Sequence, residues 1–297
     1  MPAPGPSSKA PNAMHLLKTL FKLALFLGIA LYLLQDHILF FPVRLPTPPD
    51  LPVLTGRSFE HVTFTAADGV PLTGILMGTA SAFSPAAASV SRPILLFSHG
   101  NAGNLADRLP RLVEAFASLP VDVFLYDYRG FGRSEGRPSV AGIKSDAEGA
   151  LAYLRTTRGI PLDRIILYGE SIGGGVTAWL AGLHPAEIGG VVIESSFRSL
   201  KRRAGSRFPI IGPFILSDDL PSDRILSSYD GPLLVIHSRD DRIIPFEDGK
   251  ALFDLCPSSR KALCELRGVG HNDPVWRLPA YTAAWKEFFA SYLPQFR

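Results

Sequence analysis

The sequence predicts one α/β domain behind an apolar N-terminal segment: a mostly parallel central sheet with helices on both faces and an antiparallel hairpin at its start. Three observations carry this expectation. From residue 94 on, short apolar runs rich in β-branched residues recur without polar alternation, as in strands buried on both faces. Stretches of helical composition separate these runs, which is the pattern of βαβ units. Ahead of them, residues 59–65 alternate apolar and polar, Asp68-Gly69 is a turn pair, and residues 72–77 resume β-like composition. That is a hairpin, expected at a sheet edge.

The elements follow in chain order. Residues 1–12 are Pro-, Ala- and Ser-rich and read as a disordered tail, with the tail as a whole taken as residues 1–15. Residues 23–34 carry no charge and follow Lys9, Lys18 and Lys22. A full span needs about 20 residues, reached here by including residues 16–21 with their lysines snorkelling to the headgroups. Where a signal peptide would show small residues at a cleavage site, the run meets Gln35-Asp36-His37. Residues 16–41 are therefore expected to be a retained membrane anchor. The lysines on its N-terminal side put the short tail in the cytoplasm and the rest across the membrane. Residues 42–52 contain Pro42, Pro46, Pro48, Pro49 and Pro52, so 42–56 is expected to be a semi-rigid extended spacer. The globular domain is then residues 57–297, a size that one α/β domain can fill.

Within it, strands are expected at 94–98, 121–127, 164–169, 190–194, 233–237 and 261–266. Helices are expected at 105–119, 140–158, 172–183, 246–255 and 281–292. Residues 80–91 form a small-residue loop without reactive groups.

Composition narrows the function classes. Of 297 residues, 46% are hydrophobic and 19% charged, which fits neither a disordered chain nor a multi-span membrane protein. With 30 Lys+Arg against 27 Asp+Glu, the net charge of +3 offers no single-sign field for nucleic acid. Two cysteines, Cys256 and Cys264, exclude a disulfide scaffold and leave at most one optional bridge.

In a parallel sheet, reactive groups gather at the carboxyl ends of strands. Four strand-to-helix turns are informative. Residues 168–175, YGESIGGG, run from strand into helix through G-x-S-x-G, with Gly169, Gly173 and Gly174 allowing the sharp turn that lifts the Ser171 hydroxyl above the sheet. Residues 132–136 also match G-x-S-x-G, but Ser134 is followed by Arg137-Pro138 and no helix, so Ser171 is the candidate nucleophile. Residues 98–104, SHGNAGN, open a helix, and their backbone N–H groups, with that of Ile172, can serve a developing oxyanion. No G-x-G-x-x-G or Walker pattern is present, which argues against nucleotide binding. Residues 237–245 place Asp240 and Asp241 at a strand end suited to an acid. Of the seven histidines, only His271, in the turn 268–273, follows that acid in the Ser, acid, His chain order. A serine nucleophile needs such a base, and the base needs a carboxylate to hold its tautomer.

The motifs HGNAGN at 99–104, DYRGFGRSEG at 127–136, GESIGG at 169–174, ESSFRSL at 194–200, HSRDDRIIP at 237–245 and GVGHND at 268–273 together resemble the membrane-anchored α/β-hydrolase-domain serine hydrolases. The resemblance covers residues 57–297. It implies an α/β-hydrolase fold with Ser171 as nucleophile, Asp241 as triad acid and His271 as base. In the resembling motif the acid is followed by two residues, an apolar one and Pro, and counting back from Pro245 through Ile244, Ile243 and Arg242 lands on Asp241 rather than Asp240. Two positions depart from the family pattern: Ile172 stands where Leu or Met is common, and Ser238 where Gly is common. Residues 198–229 lie where such folds carry a lid. Their Lys201-Arg202-Arg203 and Arg207 read as a solvated basic turn in preference to a contact for lipid headgroups or an anionic substrate.

The expected activity is cleavage of an ester, thioester or amide through an acyl-enzyme, with N–H groups of Ile172 and of Asn101 or Ala102 holding the oxyanion. A peptidase or acyltransferase on the same triad is the alternative among enzymes. A binding module without activity is the alternative outside them, although such modules usually lose a triad group. The substrate is expected to be a small molecule or a lipid or acyl compound. No His, Cys or carboxylate cluster has metal spacing, so neither metal nor cofactor is expected.

Overall fold

The computed structural model describes residues 13–79, 92–209, 212 and 216–293. The loop at 80–91, the first twelve residues and part of the lid segment lie outside the described residues.

Helix α1, Ala13–Leu39, begins within the stretch read as tail and spans 27 residues. At 1.5 Å per residue this is about 40 Å, longer than a ~30 Å hydrocarbon core. Large apolar side chains cover its whole circumference and stay exposed, among them Leu17, Phe21, Phe26 and Leu33. By length and composition it is the one described helix able to cross a membrane.

The hairpin forms as expected, with β2 (Ser58–Thr65) antiparallel to β3 (Pro71–Gly78) and β2 at the edge of an eight-stranded sheet. Strand β3 pairs antiparallel with β6 (Asp122–Tyr126). All remaining pairings are parallel: β6 with β4 (Ile94–Ser98), β4 with β7 (Ile165–Glu170), then β8 (Gly190–Glu194), β9 (Leu233–Ser238) and β10 (Lys261–Leu266).

Side chains of the central strands alternate between two cores, because successive residues point to opposite faces of a strand. Leu95, Phe97, Tyr168 and Ile236 join α2 (Leu105–Phe116) and α8 (Pro279–Tyr292), whose Phe116, Trp285 and Phe288 are fully buried. Ile94, Leu96, Leu167 and Val235 join α3 (Val140–Ala152), α4 (Ile172–Leu183), α6 (Ser222–Leu226) and α7 (Phe246–Leu255).

Two helices end earlier than the sequence suggested. After α3, residues Tyr153–Thr157 form a π turn. Helix α2 stops at Phe116 because the Arg57 guanidinium takes the terminal carbonyls, donating to Phe116 O at 3.1 Å and Ala117 O at 2.8 Å and bonding Leu119 O as well. Helix ends require such partners. The lid segment contains a further helix, α5 (Leu200–Arg207), absent from the sequence reading.

The largest difference concerns the residues after α1. Instead of standing off as a spacer, β1 (Phe41–Pro42) pairs in parallel with β5 (Ala102–Gly103), and Arg44 bridges to Gly132. Extended, proline-rich backbone still carries N–H and C=O groups, and here they find partners on the domain. Cys256 and Cys264 are both free, buried thiols. Burial pushes the Cys264 thiol up to about 11.

Candidate active site

Strand β7 hands over to α4 at Ser171, whose φ of 54° and ψ of −120° lie where a non-glycine side chain is strained. Close approach of strand and helix forces this turn. A Cβ on Gly169 would sit 2.2 Å from Gly173 O, and one on Gly173 would sit 2.0 Å from Ser98 O. Neighbouring groups hold the strained peptide: Ser171 N donates to Glu194 O at 2.9 Å, and Ser196 Oγ donates to Ser171 O at 2.7 Å. Ser134 is placed quite differently. It is fully buried, its Oγ donating to Asp127 O at 2.8 Å and accepting from Thr73 N at 3.0 Å, so it braces a turn.

His271 arrives on the turn after β10. Its Nε2 lies 3.2 Å from Ser171 Oγ and its Nδ1 lies 2.6 Å from Asp241 Oδ2. Asp241 Oδ1 accepts from Ile243 N and Ile244 N, each at 2.8 Å, which fixes the carboxylate plane. Burial alone would raise the Asp241 carboxyl. Hydrogen bonds from His237, His271 and Ile244 N instead hold it well below the usual carboxylate range. Asp240 faces the other way, its Oδ2 accepting from Gly268 N at 2.7 Å and anchoring the His271 turn. The unexpected Ser238 does similar work: its Oγ accepts from Asp240 N at 3.2 Å and donates to Val269 O at 2.5 Å. Ile172 is 2% exposed and packs in the core at the floor of the turn.

Several residues at the site escaped the sequence reading. His237, fully buried, puts Nε2 3.4 Å from Asp241 Oδ2 and 2.9 Å from Ile244 O. Glu170, the variable residue of the G-x-S-x-G motif, accepts from Gly100 N at 3.2 Å and Arg108 Nε at 2.6 Å, and pairs with Arg111. Arg111 in turn reaches Glu194 at 2.5 Å and Tyr168 Oη at 2.7 Å. Burial would raise the Glu170 carboxyl, but the charges of Arg111 and Arg108 hold it at about 2. Partners 57 to 83 residues apart in sequence leave no local pattern to read.

With Gly100 N–H occupied by Glu170, Asn101 and Ala102 remain as backbone donors on that loop. Among the described residues the Asn101 N–H has no acceptor. These groups share a cavity of about 690 Å³ with Ser171, His271 and Ile172. Its walls carry apolar Leu39, Phe41, Phe197, Leu200 and Ile243 as well as Arg108, Arg111 and Arg203. Of the basic lid residues, Arg203 thus reaches the cavity, and its guanidinium bonds Ile243 O. No cluster of His, Cys, Asp or Glu among the described residues has the geometry to hold a metal ion.

A serine elbow at the carboxyl edge of such a sheet defines the α/β-hydrolase fold, and comparison with known proteins agrees. A family described as alpha/beta hydrolase fold matches residues 93–224. Protein Bem46 of Schizosaccharomyces pombe is 34% identical over 234 residues, which cover 77% of this chain and 75% of Bem46. Human alpha/beta hydrolase domain-containing protein 17C is 36% identical over 204 residues, covering 69% of this chain and 60% of that protein. Among solved structures, an esterase of Pyrococcus furiosus superposes with a TM-score of 0.63 at 17% identity, over 86% of this chain and 98% of the esterase. Est1E of Butyrivibrio proteoclasticus, bound to ferulic acid, does so with a TM-score of 0.61 at 17% identity, over 78% of this chain and 100% of Est1E. The chain belongs to the α/β-hydrolase-domain family, and with it to a class of hydrolases.

Proposed function

We propose that the protein is a membrane-anchored serine hydrolase that cleaves an ester, thioester or amide through an acyl-enzyme. The observation that carries this reading is the run of contacts from Ser171 Oγ through His271 to Asp241, 3.2 Å and 2.6 Å, on the wall of the cavity. As Ser171 Oγ bonds to the substrate carbonyl carbon, His271 Nε2 takes its proton, and Asp241 holds the Nδ1 proton in place. The carbonyl oxygen becomes an oxyanion, served by the N–H groups of Ile172 and of Asn101 or Ala102. Collapse breaks the bond to the alcohol, thiol or amine, which leaves with the proton from His271. Water then repeats the sequence on the acyl-enzyme, releasing the acid and restoring Ser171.

Fluorophosphonate labelling tests the chemistry. Wild type should label and Ser171→Ala should not, and turnover of an ester series of increasing acyl length then defines the acyl preference. Wild-type protein that is folded yet neither labels nor turns over any ester would end this reading.

The anchor is proposed on the apolar surface of α1, which no protein partner covers among the described residues and which lipid would satisfy. With Lys9, Lys18 and Lys22 on the cytoplasmic side, the catalytic domain lies across the membrane. Resistance to carbonate extraction and an extracytoplasmic C-terminal reporter are expected. Release into the soluble fraction, or a cytoplasmic reporter, would refute the anchor or its orientation respectively.

A further inference from the structure

The residues that leave α1 are bonded to the loop that carries the oxyanion donors. Asn101 Nδ2 donates to Leu39 O at 2.6 Å, and Phe41 N donates back to Asn101 O at 2.8 Å. Val43 N donates to Gly103 O at 3.0 Å, while Val43 O accepts from Asn104 Nδ2 at 3.2 Å and Gly132 N at 3.0 Å. Leu45 N closes the series on Gly132 O at 3.0 Å. Side chains add to it: Phe40 is 3% exposed and meets the Phe131 ring edge-on at 6.4 Å. Upstream, Gln35 Oε1 accepts from Ser217 N at 2.8 Å and Ser217 Oγ at 3.0 Å, which docks the end of the helix on the lid segment. Leu39 and Phe41 line the cavity itself.

Asn101 is therefore held on three sides. Its carbonyl and its carboxamide are fixed by residues 39–41, the Gly100 carbonyl that shares a peptide with the Asn101 N–H lies 2.6 Å from His99 Nδ1, and the peptide before that is held by Glu170 through Gly100 N–H. The held Asn101 C=O shares its peptide plane with the Ala102 N–H, so fixing it sets the direction of that donor and limits how the adjoining Asn101 N–H can turn. We infer that the segment 39–45, which joins the membrane helix to the catalytic domain, is a positioning element of the active site: it orients the oxyanion loop at Asn101 and builds part of the cavity wall. This rests on the serine-hydrolase reading above. Removing one oxyanion donor costs about 10²- to 10³-fold in kcat, and misorienting it by less than its full loss costs about 10- to 100-fold.

The test uses the full-length protein. Val43→Pro removes the N–H that bonds Gly103 O and sets the proline ring against that oxygen, which breaks this attachment; the Val43 side chain is exposed, and Val43→Ala controls for its loss. Asn101→Ala removes the bond to Leu39 O without touching the backbone donors, and keeps the test open if Val43→Pro does not fold. The expected result for Val43→Pro and Asn101→Ala is kcat on a short ester lowered about 10- to 100-fold with KM within about twofold. Affinity for an alkylboronic acid, whose tetrahedral adduct occupies the oxyanion position, should fall by a similar factor, a change that mere loss of stability would not produce in the folded fraction. Val43→Ala should match wild type. Folded variants that keep kcat and boronate affinity within twofold of wild type would overturn the inference while leaving the hydrolase reading intact. A wild-type protein that neither labels nor turns over ester would remove both.

Discussion

Replacing Asp241 by Asn tests the triad at the point where geometry makes a numerical statement. Asp241 Oδ1 accepts from two backbone N–H groups, those of Ile243 and Ile244, both at 2.8 Å. An asparagine must keep its oxygen there, because the alternative sets amide hydrogens against two N–H donors. The amide nitrogen then occupies the Oδ2 position, 2.6 Å from His271 Nδ1. That nitrogen can only donate, so Nδ1 becomes the acceptor and the imidazole proton moves to Nε2. Nε2 faces Ser171 Oγ at 3.2 Å and, carrying a proton, cannot accept another. The expected loss in kcat is up to about 10⁴-fold, or about 5 kcal/mol of barrier, from the wrong tautomer.

Asp240→Asn is the internal comparison. Its remaining oxygen can still accept from Gly268 N, so a loss of less than about tenfold is expected. Initial rates on a p-nitrophenyl ester, with circular dichroism to certify folding, give both numbers. Because hydrogen bonding keeps the Asp241 carboxyl far below the usual range, it stays ionised throughout, and no inflection from it should appear in the wild-type rate profile above pH 4. A folded Asp241→Asn enzyme within tenfold of wild type, or a larger loss in Asp240→Asn, would show that Asp241 does not set the His271 tautomer.

Ser134→Ala should retain fluorophosphonate labelling while losing about 1–3 kcal/mol of stability in urea, because Thr73 N–H and Asp127 O lose a buried partner; loss of labelling in a folded protein would make Ser134 more than structural. Gly173→Ala should cost about 3 kcal/mol or more, since its Cβ would press on Ser98 O at 2.0 Å and His99 O at 2.7 Å, both backbone atoms. An unchanged urea midpoint would mean that the close approach of β4 and α4 is not tight. Burial, partly offset by the Leu105 N–H, raises the Asp127 carboxyl to about 8. From about pH 4 to about pH 8 the folded protein therefore holds a proton that the unfolded chain has released, and stability falls with rising pH across that window. Asp127→Asn should flatten this slope, seen as a urea midpoint that declines less than that of wild type between pH 5 and pH 9; parallel declines would show that Asp127 is ionised when folded.

What the sequence determined by itself is what depends on local composition and chain order. Continuous apolar, β-branched runs such as 165–169 and 233–237 fit strands covered on both faces, and the sheet has both among its interior strands. The elbow was readable because close packing at Gly169 and Gly173 excludes every other side chain, which leaves a visible pattern. Chain order leaves His271 as the one histidine after the strand-end acids, and the fold sets its Nε2 3.2 Å from Ser171 Oγ. Tertiary structure decided what depends on direction and on long-range pairing. Adjacent Asp240 and Asp241 have the same chemistry, and only the N–H groups of Ile243 and Ile244 on one and of Gly268 on the other turn them apart. The Glu170, Arg108, Arg111 and Glu194 network joins three elements that share no sequence period. The residues after α1 read as a spacer because proline-rich composition specifies an extended backbone and nothing more. Their attachment to residues 101–104 and 132 is made mostly by N–H and C=O groups, which every sequence carries alike and which only the folded chain can aim.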